Sequence, residues 1–225
     1  FIGSHVVEAF LAAGHEVAVV DDLSTGFRHN VPPGVRLHEV DIRNSKLTEV
    51  FEAERPAVVS HQAARANVRE SFEQPLTYAA VNVLGSVNVL ECCRLHGVRK
   101  IIYASTGGAV YGEPSWLPVP EDHPVRPLDP YGASKHHVEH YLQLYSLNYG
   151  LAYTALRYPN VYGPRQDPKG EAGVVAIFTG LMLGGGQPCI NGSGEQQRDF
   201  VHVSDVARAN VLAMDRGDNE IINIG

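Results

Sequence analysis

The chain has 225 residues, 44% hydrophobic and 19% charged, with 22 glycines, 14 prolines and three cysteines. This composition fits a globular protein and excludes a disordered, collagenous or disulfide-stapled one. The formal net charge is −7 with histidine neutral and no basic block stands out, so neither nucleic acid nor a membrane is expected as a partner. Cys92 and Cys93 are adjacent, which suits a reducing cytoplasm, and no apolar run is expected to approach the roughly 18 residues of a membrane span.

In chain order, Val6, Val7, Phe10 and Leu11 recur at helical spacing, and Gly14 stands where a helix end favours a left-handed residue. Residues 17–20 form a short apolar run, the mark of a strand buried on both faces, and Asp21 and Asp22 end it. The cycle then repeats, with strands expected at 35–40, 57–60, 100–104 and 152–156 and helices at 45–53, 76–95 and 131–149. Such alternation predicts βαβ units and an α/β fold with a doubly wound parallel sheet. The proline-rich stretch 112–130 reads as a surface loop between a strand and a helix, where α/β enzymes place substrate contacts. Regularity fades after Pro159, with Gly163-Pro164-Arg165 and a triple glycine at 184–186. Residues 1–158 are therefore expected to form the main α/β domain. Residues 159–225 are expected to form part of a smaller substrate lobe, interleaved with late elements of the sheet. Residues 221–225 read as a strand reaching its turn.

Two constellations point to chemistry. Gly3 opens a helix, a strand follows, and Asp21 lies 18 residues beyond the glycine. A dinucleotide needs a glycine for close helix–strand packing, free amides for its pyrophosphate, and an acid for its ribose hydroxyls. The earlier glycines of that fingerprint are not in the chain, so an ordinary βα unit with a turn aspartate fits this segment equally. An acid at Asp21 would repel a 2′-phosphate, which favours NAD over NADP. In the second constellation, Tyr131 and Lys135 stand four apart and share one helix face. A tyrosine near pKa 10 is a poor base at neutral pH, and an adjacent ammonium lowers that value. The spacing alone is also that of a surface pair. His136 and His140 lie one turn apart, but no HExxH pattern or paired cysteine accompanies them, and no metal site is expected.

The motifs accumulate in order: the run Ser105-Thr106-Gly107-Gly108-Ala109-Val110-Tyr111-Gly112, then Tyr131 with Lys135, then the run from Leu156 to Arg165. With these, the chain resembles the extended short-chain dehydrogenase/reductase superfamily, and within it the NAD-dependent epimerase/dehydratase family, from Phe1 to Gly225. The resemblance implies that Phe1, Ile2 and Gly3 end a glycine-rich pyrophosphate loop and that Asp21 holds a ribose. It places Asp41 and Ile42 at the adenine, and Gln62, Ala63, Ala64, Asn82 and Tyr158 along the rest of the NAD. Tyr131 and Lys135 match the catalytic pair, while Asn160 and Arg198 match contacts to a substrate diphosphate. One departure concerns the sugar-binding Ser or Thr four residues before Tyr111, a position held here by Gly107. Either Thr106 takes over that contact from one residue earlier, which is the expectation, or the contact is lost. The other departure is Pro159, where relatives more often carry Phe or Gly.

The implied reaction inverts the 4-hydroxyl of a UDP-hexose, interconverting UDP-glucose and UDP-galactose through a transient 4-keto sugar, in a homodimer. Alternatives are the corresponding reaction on UDP-glucuronate or a UDP-N-acetylhexosamine, a 4,6-dehydratase, and a non-catalytic NAD-binding regulator. Gly107-Gly108 stands in place of the dehydratase's acidic pair, and the intact Tyr/Lys pair speaks against the regulator. The same resemblance implies that the sheet's first, central strand precedes Phe1 and that part of the substrate lobe follows Gly225. A gap between the strand ending at Asp21 and the one ending near His61, or a sheet closed by an unnatural pairing, is then expected, and the 225-residue chain alone is expected to be poorly folded and inactive.

Overall fold

The computed structural model describes residues 1–168 and 173–225. Its elements are α1 (Ile2–Ala12), β1 (Ala18–Val20), β2 (Arg36–His38), α2 (Leu47–Glu54), β3 (Val58–His61), α3 (Val68–Glu73) and α4 (Pro75–Tyr78). A π-helical stretch over Ala79–Gly85 leads into α5 (Ser86–Leu95). Then come β4 (Lys100–Thr106), α6 (Pro130–Tyr149), β5 (Ala152–Tyr158), β6 (Asn160–Tyr162), α7 (Val174–Leu183), β7 (Phe200–His202), α8 (Val203–Ala213) and β8 (Glu220–Asn223).

All strand pairs are parallel. One sheet runs β3-β4-β5-β8, and β1 pairs with β2 in a separate ladder. The division falls between the strands that lead to Asp21 and His61. β4 is buried along its whole length, as its apolar sequence at the sheet centre requires. Its side chains alternate between two cores. Ile101 and Tyr103 pack with α5 and α6 through Leu90, Cys93, Val138 and Leu142. Ile102 and Ala104 pack with α1 and α8 through Val6, Phe10, Val206 and Ala207. Helices thus cover both faces, the doubly wound arrangement.

The small β6–β7 ladder and α7 stand apart from the main sheet, whereas α8 and β8 return to it, α8 lying on α1 and β8 pairing with β5. The sequence reading passed over α3, α7 and α8. It also needs one correction. The continuous helix Pro75–Leu95 is, by length and mean hydropathy, apolar enough to cross a membrane. One side of it packs against α2 and α6, with Asn82, Ser86, Leu90 and Cys93 buried, while Leu76, Leu84 and Leu95 are exposed.

Candidate active site

Helix α6 begins where its sequence dictates. The Asp129 carboxylate accepts the Gly132 amide at 2.7 Å, Pro130 occupies the first turn, and Gly150 ends the helix with φ 71°. This start sets α6 against β4, with the Lys135 ammonium over the ring of Tyr103. Gly132 lets the turn approach closely, for a Cβ there would lie 2.6 Å from the Ala109 carbonyl oxygen. Tyr131 is half-buried and Lys135 is buried. Burial pulls the Lys135 ammonium down to about 7, against the opposing influence of Glu139. Glu139, one turn further on, is itself buried. It accepts Arg157 Nε at 2.9 Å, Arg157 Nη2 at 2.7 Å and Ser105 Oγ at 2.7 Å, with His136 Nδ1 at 3.0 Å. Burial alone would raise its pKa, but Arg157 holds the carboxyl below its ordinary value. His140 Nε2 meets His136 Nε2 at 3.2 Å.

Thr106 is the last residue of β4, paired with Tyr158, and continues the side of the strand that carries Ile102 and Ala104. The Gly107 amide donates to the Tyr158 carbonyl at 2.7 Å, and a Cβ at Gly107 would lie 3.4 Å from the Arg157 carbonyl oxygen. A side chain at that position would therefore rest on the β5 backbone.

Along the strand ends toward β1, α1 starts without a side-chain cap, so no side chain caps the first-turn amides at Ile2 and Gly3. Gly3 faces Gln62, whose Cβ would stand 3.9 Å from a Cβ on the glycine. Gln62 Nε2 donates to Ser60 Oγ and to Asn210 Oδ1, each at 3.0 Å, and Asn210 Nδ2 donates to the Tyr158 hydroxyl at 2.7 Å. Burial pushes the Tyr158 phenol up to about 12, so it stays protonated. Asp21 closes β1 with its carboxylate accepting the Leu23 amide at 2.8 Å. Asp41 pairs with Arg43, and the carbonyl of buried Ile42 accepts Asn88 Nδ2 at 2.6 Å. Asn82 is buried and bonded on both sides, exchanging bonds with the Arg65 backbone at 2.8 and 2.9 Å and donating to Ser134 at 2.8 Å. It thereby ties the loop that carries Ala63 and Ala64 to α6.

On the far side, Asn160 and Arg198 come together through the β6–β7 ladder. The Asn160 amide and side chain both donate to the Asp199 carbonyl, at 3.1 and 3.0 Å, and Arg198 is exposed beside it. The sequence reading missed Asn210, Glu139 and Arg157. A signal existed for the last two: an arginine inside an apolar strand, and a glutamate one turn after Lys135. Among the described residues no cluster of three or more His, Cys, Asp or Glu could hold a metal ion.

A doubly wound parallel sheet, an α1 start without a side-chain cap, an acid at the end of β1 and a Tyr/Lys pair at the start of α6 are the features of an α/β enzyme of the short-chain dehydrogenase type. The family profile for the NAD-dependent epimerase/dehydratase family matches residues 1–225, and the chain belongs to that family. A UDP-glucose 4-epimerase of Mycolicibacterium smegmatis is 43% identical over 231 aligned residues, covering all of this chain and 74% of that protein. The UDP-glucose 4-epimerase of Thermus thermophilus, solved in complex with NAD, is 51% identical with a TM-score of 0.94. That of Thermotoga maritima, solved with UDP-glucose, is 49% identical with a TM-score of 0.97. Each of these two comparisons covers the whole chain and 74% of the other structure.

Proposed function

We propose that this protein is an NAD-dependent 4-epimerase of UDP-hexoses, interconverting UDP-glucose and UDP-galactose as part of galactose metabolism. The observation that carries the reading is the Tyr131/Lys135 pair on the opening turns of α6, a buried ammonium one helical turn from a phenol suited to take the sugar's proton. The neighbouring edge fits a dinucleotide: the α1 start is uncapped, Gln62 faces Gly3 across it, and the Asp21 carboxylate ends β1. Phe1, Ile2 and Gly3 would hold the pyrophosphate and Asp21 a ribose. Asp41 and Ile42 would hold the adenine, and Gln62, Ala63, Ala64, Asn82 and Tyr158 the remainder. When bound, NAD supplies a hydride acceptor that can later return the hydride.

Tyr131 as phenolate takes the proton of the 4-hydroxyl at its Oη and gives it back after the keto sugar has turned over. Lys135 stabilises the phenolate and holds the nicotinamide ribose. Thr106 supports the sugar hydroxyl, a task for which Ser105 is less suited because its own hydroxyl donates to Glu139. Asn160 and Arg198 hold the diphosphate while the sugar swings, the arginine through its bidentate fork.

The same reading includes a cytoplasmic homodimer. Three unpaired cysteines and exposed Leu84, Leu144 and Leu147 on neighbouring helices support it. Tyr131→Phe in the full-length protein tests the mechanism. It should retain NAD and lose epimerisation by about 10²–10⁴-fold. Turnover near that of the parent would mean another base operates.

A further inference from the structure

Beneath the Tyr131/Lys135 pair lies an aromatic side chain that the proposed chemistry does not use. Tyr103 sits midway along β4, in register with His61 on β3 and Ala155 on β5, and is buried. The Lys135 ammonium lies 4.5 Å from the centroid of its ring. The His61 ring stands 5.6 Å away, tilted by 46°. The Tyr103 hydroxyl meets no hydrogen-bond partner among the described residues. What this side chain offers its surroundings is therefore the ring and not the hydroxyl.

We infer that Tyr103 is a positioning residue for the epimerase reaction proposed above, on which this inference rests: its ring face holds the Lys135 ammonium and keeps that charge beside Tyr131. A cation over an aromatic face is attracted by the ring quadrupole, and the attraction grows where water is excluded. Lys135 is buried in such a place.

The titratable and charged groups around it come from each neighbouring element. On α6 itself they are Tyr131 and Glu139. His61 on β3 is held down to about 3 by burial and by the Lys135 charge, so it is neutral. Arg157 on β5 is spent on Glu139. On the α3 and α4 side, Glu70 accepts from Tyr78. Glu139 acts on Lys135 through space, its oxygens being bonded to Arg157, Ser105 and His136. The Tyr103 ring is the group the structure places against the ammonium.

The test compares Tyr103→Phe with two ringless variants, Tyr103→Leu and Tyr103→Met, in the full-length protein, measuring kcat and KM for UDP-galactose across pH. Phe keeps the ring and should leave the pH profile in place. Leu and Met should lose about tenfold in kcat at neutral pH, with KM unchanged. Their bell should narrow from both sides. Lys135 would lose its proton at lower pH, and Tyr131, with less positive charge beside it, would lose its own at higher pH.

Ultraviolet titration of the tyrosine phenolate, which needs no turnover, should show the lowest transition moving upward in Leu and Met but not in Phe. An inactive parent whose phenolate titration still moves this way would defeat the epimerase reading and support the positioning role. Unchanged profiles and titrations in Leu and Met would overturn the inference, as would a Phe variant impaired as deeply as they are. If both ringless variants fail to fold, the Phe result still decides: an altered pH profile with the ring retained overturns it.

Discussion

Glu139→Leu should destabilise the protein by about 3–5 kcal/mol, the usual cost of stripping the partner from a buried charge. The structure explains the size. Arg157 is 3% exposed and Glu139 1%, and their bidentate pairing is made at 2.9 and 2.7 Å. Without the carboxylate, the guanidinium keeps the Tyr111 hydroxyl at 2.7 Å and the Glu121 carbonyl at 3.4 Å, both neutral. At this chain length each kcal/mol moves Tm by about 2–4 °C, so a fall of roughly 6–20 °C is expected. The double variant Glu139→Leu/Arg157→Met removes both charges and should recover most of the loss. Ser105 and His136, deprived of their acceptor, should leave a residue of about 1 kcal/mol. The pH dependence has a definite sign. Arg157 holds the Glu139 carboxyl below its ordinary value despite burial, so the ion pair stabilises fully above the unfolded carboxyl's pKa of about 4.3. That contribution fades as pH falls through the lower folded value, and parent and variant should converge in acid. Urea unfolding followed by circular dichroism at several pH values measures all of this. A cost under about 1 kcal/mol for Glu139→Leu, or a double variant no more stable than Glu139→Leu alone, would refute the reasoning.

Gly132→Ala should cost more in turnover than in stability. Its methyl would press to 2.6 Å from the Ala109 carbonyl oxygen, shifting the turn that carries Tyr131, and a misplacement of about 1 Å can cost about 10²-fold in kcat. Steady-state kinetics alongside a melting curve would check it, and unchanged kcat would contradict the placement of Tyr131. Asp21→Ser should relax cofactor preference from NAD toward NADP, since the acid would no longer repel a 2′-phosphate. Cofactor-binding titrations read this directly, and a parent binding both equally would count against Asp21 as the ribose ligand.

Much of the fold was legible because buried parallel strands announce themselves. The apolar run at 100–104 became the first five residues of β4, and the helix expected at 131–149 became α6, one residue longer at its start. Helix α8 was harder to see. Val203, Val206 and Ala207 keep helical spacing, but Asn210 interrupts the apolar face. Its amide is there to join Gln62 and Tyr158, partners 148 and 52 residues away. The site divides in the same way. Tyr131 and Lys135 are close in sequence and share a face through helical geometry alone. The Tyr103 ring below them and the Arg157–Glu139 pair beside them arise from strand register and helix packing, which local spacing does not encode. The long helix Pro75–Leu95 shows the converse error: its apolar length combines a face buried against α2 and α6 with the exposed leucines Leu76, Leu84 and Leu95.

In the proposed reaction hydride leaves C4 of the sugar and returns to the same carbon, with Tyr131 handling only the hydroxyl proton. Nuclear magnetic resonance of UDP-galactose incubated in deuterium oxide with the full-length protein and NAD tests this most directly. Conversion to UDP-glucose is expected with the C4 hydrogen fully retained as protium, because the hydride never exchanges with solvent. Deuterium appearing at C4, or no conversion at all, would contradict it.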